Sequence, residues 1–454
     1  MLRYKLTRRG VLKLGLGSAF FTLNSLGQGR EAIRIGLVDP FSGVYAALGR
    51  SELEGARMAV DDVNVRGGVL GRPLELLPED SAAKTDVGVQ KLRKLVERDK
   101  IQFSLGEVSS GVSLALSQTA AEYKMLHIVT GGHADAITGQ SCRWNTFRIP
   151  TSGSMEANAI GRLLAERFGK NWYIITPDYA YGWSLQESFT KVAERLGGKV
   201  LGADRLPLGT VDYSAVLLKA ARAKPDVLLV FQAGDDAVAI LKQIVQFGLD
   251  KQMAIAGGLQ EWENIVALPK EARIGWWTFE WYWIQPNVPE VKTFVDRYRR
   301  RYRKVPTARS WFGYAAIWSL ALAINKAKSL DAVKVAQAME GLELPRSVAL
   351  QPGRVYYRKE DHQLMTGVFV GYVRQGQDPD DIFLRVLLDL DPRDVKKEGV
   401  LCSKIVSTPF TILTRKPFWW LPTFGWMTNS RPCKLRTSSS PQSKSTRRLP
   451  WPSS

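Results

Sequence analysis

The run IRIGLVD, residues 33–39, indicates the fold class of this chain. Its apolar side chains are almost continuous, which is typical of a strand in a parallel sheet whose two faces are both covered. A helical pattern follows over residues 51–65 and stops at Gly67 and Gly68. These two elements predict the first unit of a β-α-β series, and therefore a doubly wound α/β sheet.

The alternation of strands and helices continues along the chain. Strands are predicted at 74–77, 102–105, 126–129, 172–176, 227–231 and 253–256, and helices at 86–98, 112–123, 153–168, 185–196 and 235–247. The pattern restarts after residues 148–150 and becomes less regular through 275–284, 291–303, 311–327 and 331–340. Two similar series predict two Rossmann-like α/β lobes with a cleft between them. Ligands in such open sheets bind outside the carboxyl ends of the strands.

Charge is concentrated at the two ends of the 454-residue chain. The formal net charge is +19, of which +6 falls in residues 1–30, +10 in residues 393–454 and only +3 in residues 31–392. The near-neutral middle argues against nucleic acid as a partner of the folded part. No apolar run reaches the ~18–20 residues that a membrane span needs.

The two terminal segments are predicted to lie outside the lobes. Residues 1–30 carry the pair Arg8-Arg9, a weakly apolar stretch and no acid, which is typical of a twin-arginine export signal that delivers a protein to the periplasm. An amphipathic first helix is the alternative. Residues 393–454 are rich in Pro, Ser and basic residues and cannot bury enough apolar area to order themselves. We favour a non-native extension there, with a basic tail that contacts anionic lipid or nucleic acid as the alternative.

The sequence lacks the short motifs of covalent catalysis, phosphate binding and metal binding. Its three histidines are far apart, and its three cysteines have no metal-ligand spacing: His127, His133, His362, Cys142, Cys402 and Cys433. A disulfide between Cys142 and one of the other two cysteines stays open. We therefore expect a binding protein with no metal and no cofactor; a hydrolase is the weaker alternative.

Several motifs, taken in order, resemble one protein family. They are GLVDPFSG from Gly36, EGARMA from Glu54, DDVN from Asp61, GGVLG from Gly67, GEVSSGV from Gly106, PDYAYG from Pro177, VDYS from Val211 and DHQLM from Asp361. The ordered set resembles the periplasmic branched-chain amino-acid and amide-binding proteins of ABC transporters. The resemblance implies the type I periplasmic binding fold, in which a hinge joins the lobes. It places lobe 1 at 31–149, lobe 2 at 150–279, a return to lobe 1 at 280–348 and a return to lobe 2 at 349–392.

The resemblance also implies a ligand site at the start of the helix after the third strand. Ser110, or less well Ser109, would hold the carboxylate of the ligand. Free N–H groups and the positive end of the helix dipole favour an anion at such a position. The alternative is that these serines only cap the helix.

Further site residues follow from the same resemblance. Gly131 and Gly132 would let the backbone approach the ligand closely, and His133, where the family often has Ser or Thr, would contact an acidic group or face solvent. Tyr181 would close over the ligand, or else pack as a partly buried tyrosine. The candidates for a carboxylate that binds an ammonium group are Asp235 and Glu261, which also suit the first turn of a helix.

The run WWTFEWYW, residues 276–283, departs from the family. Alternation would place Trp277, Phe279, Trp281 and Trp283 on one face and Trp276, Thr278, Glu280 and Tyr282 on the other. We favour core packing near the hinge. The alternative is an aromatic-lined pocket, joined by Trp262, for a larger apolar or aromatic ligand.

These observations together predict the substrate-binding component of an ABC importer. It would act as a monomer, enclose an amino-acid-like, amide or aromatic carboxylate ligand between its lobes, and present the closed lobes to the membrane permease subunits. A ligand-sensing receptor domain with the same fold is the alternative function.

Overall fold

The computed structural model describes residues 31–285, 287–374 and 383–390. The predicted export signal at 1–30 and the basic segment at 393–454 lie outside these residues, as do Cys402 and Cys433, the two possible disulfide partners of Cys142. No helix of the described residues has both the length and the apolar character that crossing a membrane requires.

Lobe 1 contains a parallel sheet in the strand order β2-β1-β3-β4-β5. Its elements up to the first crossover are β1 Ile33–Asp39, α1 Ala46–Val65, β2 Leu74–Asp80, α2 Thr85–Glu97, β3 Phe103–Leu105, α3 Ser110–Glu122, β4 His127–Val129 and β5 Thr146–Arg148. The run IRIGLVD forms β1, in which every side chain except that of Arg34 is buried. Covering helices on both faces explain why this strand is continuously apolar.

Lobe 2 repeats the α/β arrangement in a larger sheet, in the order β14-β13-β10-β9-β8-β6-β7. Its elements are α4 Gly153–Arg167, β6 Asn171–Pro177, α5 Ala180–Arg195, β7 Lys199–Leu206, α6 Ser214–Ala223, β8 Val227–Val230, α7 Asp235–Gln246, β9 Ala254–Leu259, α8 Trp262–Ala267 and β10 Trp276–Phe279, followed much later by β13 Val368–Arg374 and β14 Phe383–Leu390. Strands β6 to β10 are parallel, whereas β13 pairs antiparallel with β10 and β14 pairs antiparallel with β13.

Between β10 and β13 the chain returns to lobe 1. This return comprises α9 Pro289–Tyr302, α10 Ala308–Ala327, α11 Ala332–Met339, α12 Arg346–Ala349, β11 Tyr356–Tyr357 and β12 Leu364–Met365. Helix α10 packs along α1, and it is buried on almost all sides. Tyr357 and Leu364 lie in the same core as β1. The chain therefore re-enters lobe 2 only near Val368, later than the predicted boundary at residue 349.

Several elements of the structure are not predicted by the sequence patterns, among them β5, β7 and α6. Strand β5 has only three residues, β7 is an edge strand with no fully buried side chain, and α6 buries only Leu217 and Ala220. Short or weakly buried elements carry little hydrophobic periodicity, and that periodicity is the signal on which the prediction depends.

The aromatic run at 276–283 does not form one continuous strand. Strand β10 ends at Phe279, and Trp277 and Phe279 pack in the core of lobe 2. The indole N–H of Trp281 donates to the carbonyl oxygen of Leu350 at 2.8 Å, and its ring lies in the core of lobe 1. The predicted common face for all four residues is therefore wrong, because the chain crosses between lobes within the run.

Candidate functional site

A small cavity lies between the two lobes, beyond the carboxyl ends of the central strands. In this arrangement of the lobes it has a volume of only about 10 Å³, and it is lined from lobe 1 by Val108, His133 and Arg309, and from lobe 2 by Tyr179, Tyr181, Ala233, Leu259 and Glu261. Each lobe contributes residues that follow a parallel strand or begin a helix. Such positions bring free backbone N–H groups to the ligand side of an α/β sheet.

A buried ion network forms one wall of this cavity. Arg309, in the first turn of α10, donates from Nη1 to Glu52 Oε1 at 2.9 Å and from Nε to Glu261 Oε1 at 2.7 Å. Burial alone would lower the pKa of Arg309, but the charges of Glu261 and Glu52 raise it well above its ordinary value. The second carboxylate oxygens, Glu52 Oε2 and Glu261 Oε2, are buried and have no hydrogen-bond partner among the described residues.

Helix α3 begins at Ser110, the second residue of the predicted Ser109-Ser110 pair. The Ser110 hydroxyl accepts hydrogen bonds from the backbone N–H groups of His133 and Ala134, at 3.0 and 3.1 Å. Ser109 is the N-cap residue, but its side chain makes no capping hydrogen bond. Because the first N–H groups of a helix have no partner within it, the start of α3 keeps donors available to an anion.

The glycine pair after β4 allows the loop to fit against the ion network. A Cβ atom on Gly131 would lie 2.5 Å from Val108 Cα and 2.6 Å from Arg309 Nη1. The carbonyl oxygen of Gly131 also accepts a hydrogen bond from Arg309 at 3.2 Å. A Cβ atom on Gly132 would lie 2.6 Å from the Ser113 hydroxyl. Packing around the cavity therefore requires glycine at both positions, independently of any contact between their backbone and a ligand.

His133 is buried and does not face solvent. Its Nε2 lies 2.9 Å from Glu280 Oε2, and its ring meets the edge of Tyr181 at a centroid distance of 6.0 Å. Burial would raise the pKa of Glu280, but the charge and hydrogen bond of His133 and the hydrogen bond from the Thr151 N–H together lower it. The acidic group that His133 contacts in this structure is thus one of the protein's own.

Tyrosine side chains from lobe 2 close the cavity on the other side. Tyr181, at the start of α5, is buried and lines the cavity, which is compatible with the predicted lid. Its neighbour Tyr179 places its hydroxyl 2.8 Å from the hydroxyl of Tyr45 in lobe 1. The two lobes therefore touch directly at the edge of the cavity.

The two candidate acids for an ammonium group occupy different places. Glu261 lines the cavity and pairs with Arg309. Asp235 is exposed at the first turn of α7, does not line the cavity, and contacts lobe 1 through its backbone N–H, which donates to Val44 O. Of the two acids, only Glu261 lines the cavity in this arrangement of the lobes. Among the described residues, no group of His, Cys, Asp and Glu side chains has the arrangement of a metal site.

Sequence reasoning missed several residues that line or support the cavity. Arg309 and Glu52 lie within helices α10 and α1, more than 250 positions apart, and no local motif marks them. Tyr179 lies in the motif PDYAYG, from which only Tyr181 was predicted as a site residue. Glu280 stood inside the aromatic run. In each case a contact between segments distant in the sequence makes the residue part of the site.

A family model described as periplasmic binding protein matches residues 32–378 of this chain. The chain belongs to this family. Its predicted family and its two-lobed α/β fold class are thereby confirmed. Periplasmic binding proteins are substrate-binding proteins and not enzymes.

Individual relatives of this periplasmic binding protein agree with the family assignment. Leu/Ile/Val-binding protein homolog 2 of Brucella abortus (strain 2308) is 29% identical over 310 residues, which cover 68% of this chain and 82% of that protein. The crystal structure of a periplasmic binding protein from Burkholderia mallei is 28% identical, has a TM-score of 0.76 and covers 82% of this chain and 98% of its own.

A more distant neighbour was solved with an aromatic acid. The solute binding protein of an ABC transporter from Rhodopseudomonas palustris BisB5, in complex with 3,4-dihydroxybenzoic acid, is 21% identical, has a TM-score of 0.72 and covers 80% of this chain and 98% of its own. At this identity the likeness shows the fold alone.

Proposed function

We propose that the protein is the solute-binding component of an ABC importer and that it encloses a small carboxylate ligand in the cavity between its lobes. The observation that carries this proposal is the composition of the cavity wall, to which both lobes contribute polar side chains: His133 and Arg309 from lobe 1, and Tyr181 and Glu261 from lobe 2. A ligand that contacts both sets stabilises the closed arrangement of the lobes, which is the form that a transporter would recognise.

The cavity supplies donors for an anionic group. The uncapped start of α3 in lobe 1 faces the start of α5 in lobe 2, where Tyr179 also makes no side-chain cap. An ideal Cβ atom on Gly111 would lie 4.0 Å from Tyr179 Cδ2, so the two helix starts are close together. Two positive helix ends beside one cavity favour the carboxylate of a ligand.

The cavity also supplies acceptors. Glu261 Oε2 belongs to a residue that lines the cavity and has no hydrogen-bond partner among the described residues, and a buried carboxylate oxygen without a partner is costly. A ligand with N–H or O–H donors would satisfy such an atom. We therefore propose a ligand that carries a carboxylate together with such a donor, either an amino acid or a hydroxylated aromatic acid.

The test is a binding screen on the full chain. L-Leucine, L-isoleucine, L-valine, benzoate, 3,4-dihydroxybenzoate and urea are added separately, and thermal unfolding and calorimetric binding are measured. A ligand present at about 100 times its Kd should stabilise the folded state by about 2.7 kcal/mol. Failure of every acid in the panel to shift the unfolding temperature or to bind would reject the proposed ligand class.

Delivery to the periplasm is part of the same proposal, and residues 1–30 would be its signal. A fusion of these residues to a reporter that is active only after export tests it. Replacement of Arg8 and Arg9 together by lysine should abolish export, because twin-arginine signals depend on that pair. Unchanged export of the double variant would contradict the twin-arginine assignment without affecting the ligand proposal.

A further inference from the structure

Arg309 is oriented by residues of its own lobe. Thr307 and Ser310 form a capping box at the start of α10, which fixes the helical turn that carries Arg309. Nη1 of Arg309 donates to Glu52 Oε1 at 2.9 Å and to the carbonyl oxygen of Gly131 at 3.2 Å. These partners belong to α1 and to the loop after β4, both in lobe 1. Lobe 1 by itself therefore holds the guanidinium in position.

The other edge of the guanidinium, formed by Nε and Nη2, faces lobe 2. These two nitrogens lie 2.7 and 2.5 Å from a single oxygen of Glu261, Oε1. The second oxygen, Glu261 Oε2, is buried and has no hydrogen-bond partner among the described residues. An arginine edge of this kind matches both oxygens of a carboxylate, one on each nitrogen. Glu261 occupies the edge with one oxygen only, so the pair is not bidentate.

The cavity beside this pair is too small for a ligand of the proposed class. Its volume of about 10 Å³ corresponds to roughly one water molecule. A ligand therefore enters only if the lobes move apart, and Glu261 then leaves Arg309 together with lobe 2. At that step the edge formed by Nε and Nη2 loses its acceptor, whereas Nη1 keeps its partners in lobe 1.

We propose that Arg309 is the anchor for the ligand carboxylate and that Glu261 occupies this anchor until a ligand displaces it. The inference deepens the proposed function and rests on it for the class of the ligand. The carboxylate of the ligand takes the two nitrogens of the edge with its two oxygens. Glu261, released from Arg309, then accepts the N–H or O–H group of the same ligand.

Closure of the lobes on a ligand buries Arg309 and Glu261 again, now with the ligand between them. Each then needs a new partner, because a buried charge without one is costly. A carboxylate on Arg309 and a hydrogen-bond donor on Glu261 meet both needs. A neutral amide gives Arg309 only a carbonyl oxygen, which is a weaker acceptor than a carboxylate. We therefore expect the site to prefer acids over their amides.

Chemical rescue with acetate tests the anchor independently of the ligand. Glu261→Ala removes the carboxylate from Arg309 and leaves space for a small anion, while Glu52 still compensates the guanidinium. Sodium acetate should raise the unfolding temperature of this variant by about 2 °C or more over sodium chloride at equal concentration, with half-saturation in the millimolar range. Acetamide, which has a similar size but no charge, should cause a much smaller shift.

Three comparisons make the acetate effect specific. The unchanged protein should show no shift beyond that in chloride, because Glu261 already occupies the edge. Glu263→Ala is the matched control and should behave in the same way, since Glu263 also buries its carboxylate oxygens in α8 but does not line the cavity. In Glu261→Ala combined with Arg309→Lys, half-saturation should need about tenfold more acetate, because an ammonium group lacks the two-nitrogen edge.

A second variant connects the anchor with the ligand itself. An acid of the panel that binds the unchanged protein should bind Arg309→Lys about tenfold more weakly or worse, measured by calorimetry. Arg354→Lys is the control for this exchange, because Arg354 pairs with Glu343 on the surface. It should leave the Kd of the acid unchanged.

The outcomes distinguish this inference from the proposed function. Absence of an acetate shift in Glu261→Ala, or an equal shift in Glu263→Ala, overturns the inference and leaves the proposed function standing. An acid that binds Arg309→Lys as tightly as the unchanged protein has the same consequence. Failure of every acid in the panel to bind, together with the acetate shift, rejects the proposed ligand class and supports Arg309 as a carboxylate anchor.

Discussion

Arg309 of lobe 1 and Glu261 of lobe 2 form a buried ion pair across the cleft, with Nη2 and Oε1 2.5 Å apart. The same guanidinium holds Glu52 of its own lobe at 2.9 Å, and all three side chains are at most 3% exposed. One cation therefore compensates two buried carboxylates that belong to different lobes. Charge compensation in the cavity and contact between the two lobes therefore depend on the same residue, Arg309.

Removal of that cation should destabilise the protein strongly. Arg309→Met leaves Glu52 and Glu261 buried without a counter-ion, for which we expect a loss of about 3–5 kcal/mol in the free energy of unfolding, measured by urea denaturation. Arg354→Gln is the control, because Arg354 pairs with Glu343 at 2.6 Å on the surface, with side-chain exposures of 62% and 54%. The control should lose at most about 1 kcal/mol. Equal losses of unfolding free energy in the two variants would show that burial of the ion pair does not determine how much stability depends on it.

The hydroxyl contact between Tyr45 and Tyr179 should affect ligand affinity more than stability. Their hydroxyl groups belong to opposite lobes and lie 2.8 Å apart, so we expect opening of the lobes to separate them. Tyr179→Phe should weaken ligand binding by about 0.5–1.5 kcal/mol, or up to about tenfold in Kd. Tyr357→Phe removes a comparable hydroxyl contact, to Ser319 at 3.1 Å within lobe 1. It should lower the unfolding temperature and leave Kd unchanged; the reverse pattern would show that Tyr45 and Tyr179 do not report closure.

Substitution of Gly131 should be poorly tolerated. The Cβ atom of Gly131→Ala would meet Val108 Cα at 2.5 Å, a backbone atom that cannot move aside alone. We expect a loss of about 1–3 kcal/mol in the free energy of unfolding. Gly111→Ala is the matched control, since its Cβ atom would meet no atom closer than 3.9 Å and alanine favours a helix. A stable Gly131→Ala protein would mean that the loop after β4 can shift away from Arg309.

Stability should fall as the pH rises above the acidic range. Burial raises the pKa of Glu107 to about 8, against hydrogen bonds from Ser81 and Ser109 that lower it, while its unfolded value stays near 4.5. The folded protein therefore holds a proton that the unfolded chain has lost, and the free energy of unfolding decreases between about pH 5 and pH 8, by up to about 1.4 kcal/mol per pH unit.

Glu107→Gln should remove that part of the slope, because the amide is neutral throughout. Urea denaturation at several pH values measures it, with Glu75→Gln, an exposed partner of Arg34, as the control that keeps the slope. Asp39 also has a raised pKa, from burial and from the charges of Glu52 and Glu107, so some slope should remain in the variant. If the free energy of unfolding depended on pH identically in Glu107→Gln and in the unchanged protein, the raised pKa of Glu107 would be contradicted.

Much of the fold can be read from the sequence because it rests on local periodicity. β1 matches its predicted bounds, and α2, α3, α4 and α7 begin and end within a few residues of prediction. The start of α3 and the glycine pair are visible as motifs, since both depend on the conformation of a few consecutive residues. Strand β5 with three residues, strand β7 with no fully buried side chain and helix α6 with two buried side chains are not visible, because each buries too few side chains to impose a pattern.

What the sequence alone determined was the order of the α/β units, the two-lobed family and the segments around the cleft, all of which follow from residue spacing. Only the tertiary structure decided which side chains share the cavity. Arg309 meets Glu52 and Glu261, and His133 meets Glu280, across long separations in the chain. The tertiary structure also placed Asp235 at an exposed position outside the cavity lining and divided the aromatic run between two cores. Contacts of this kind depend on how the lobes fold back and close, which no local pattern encodes.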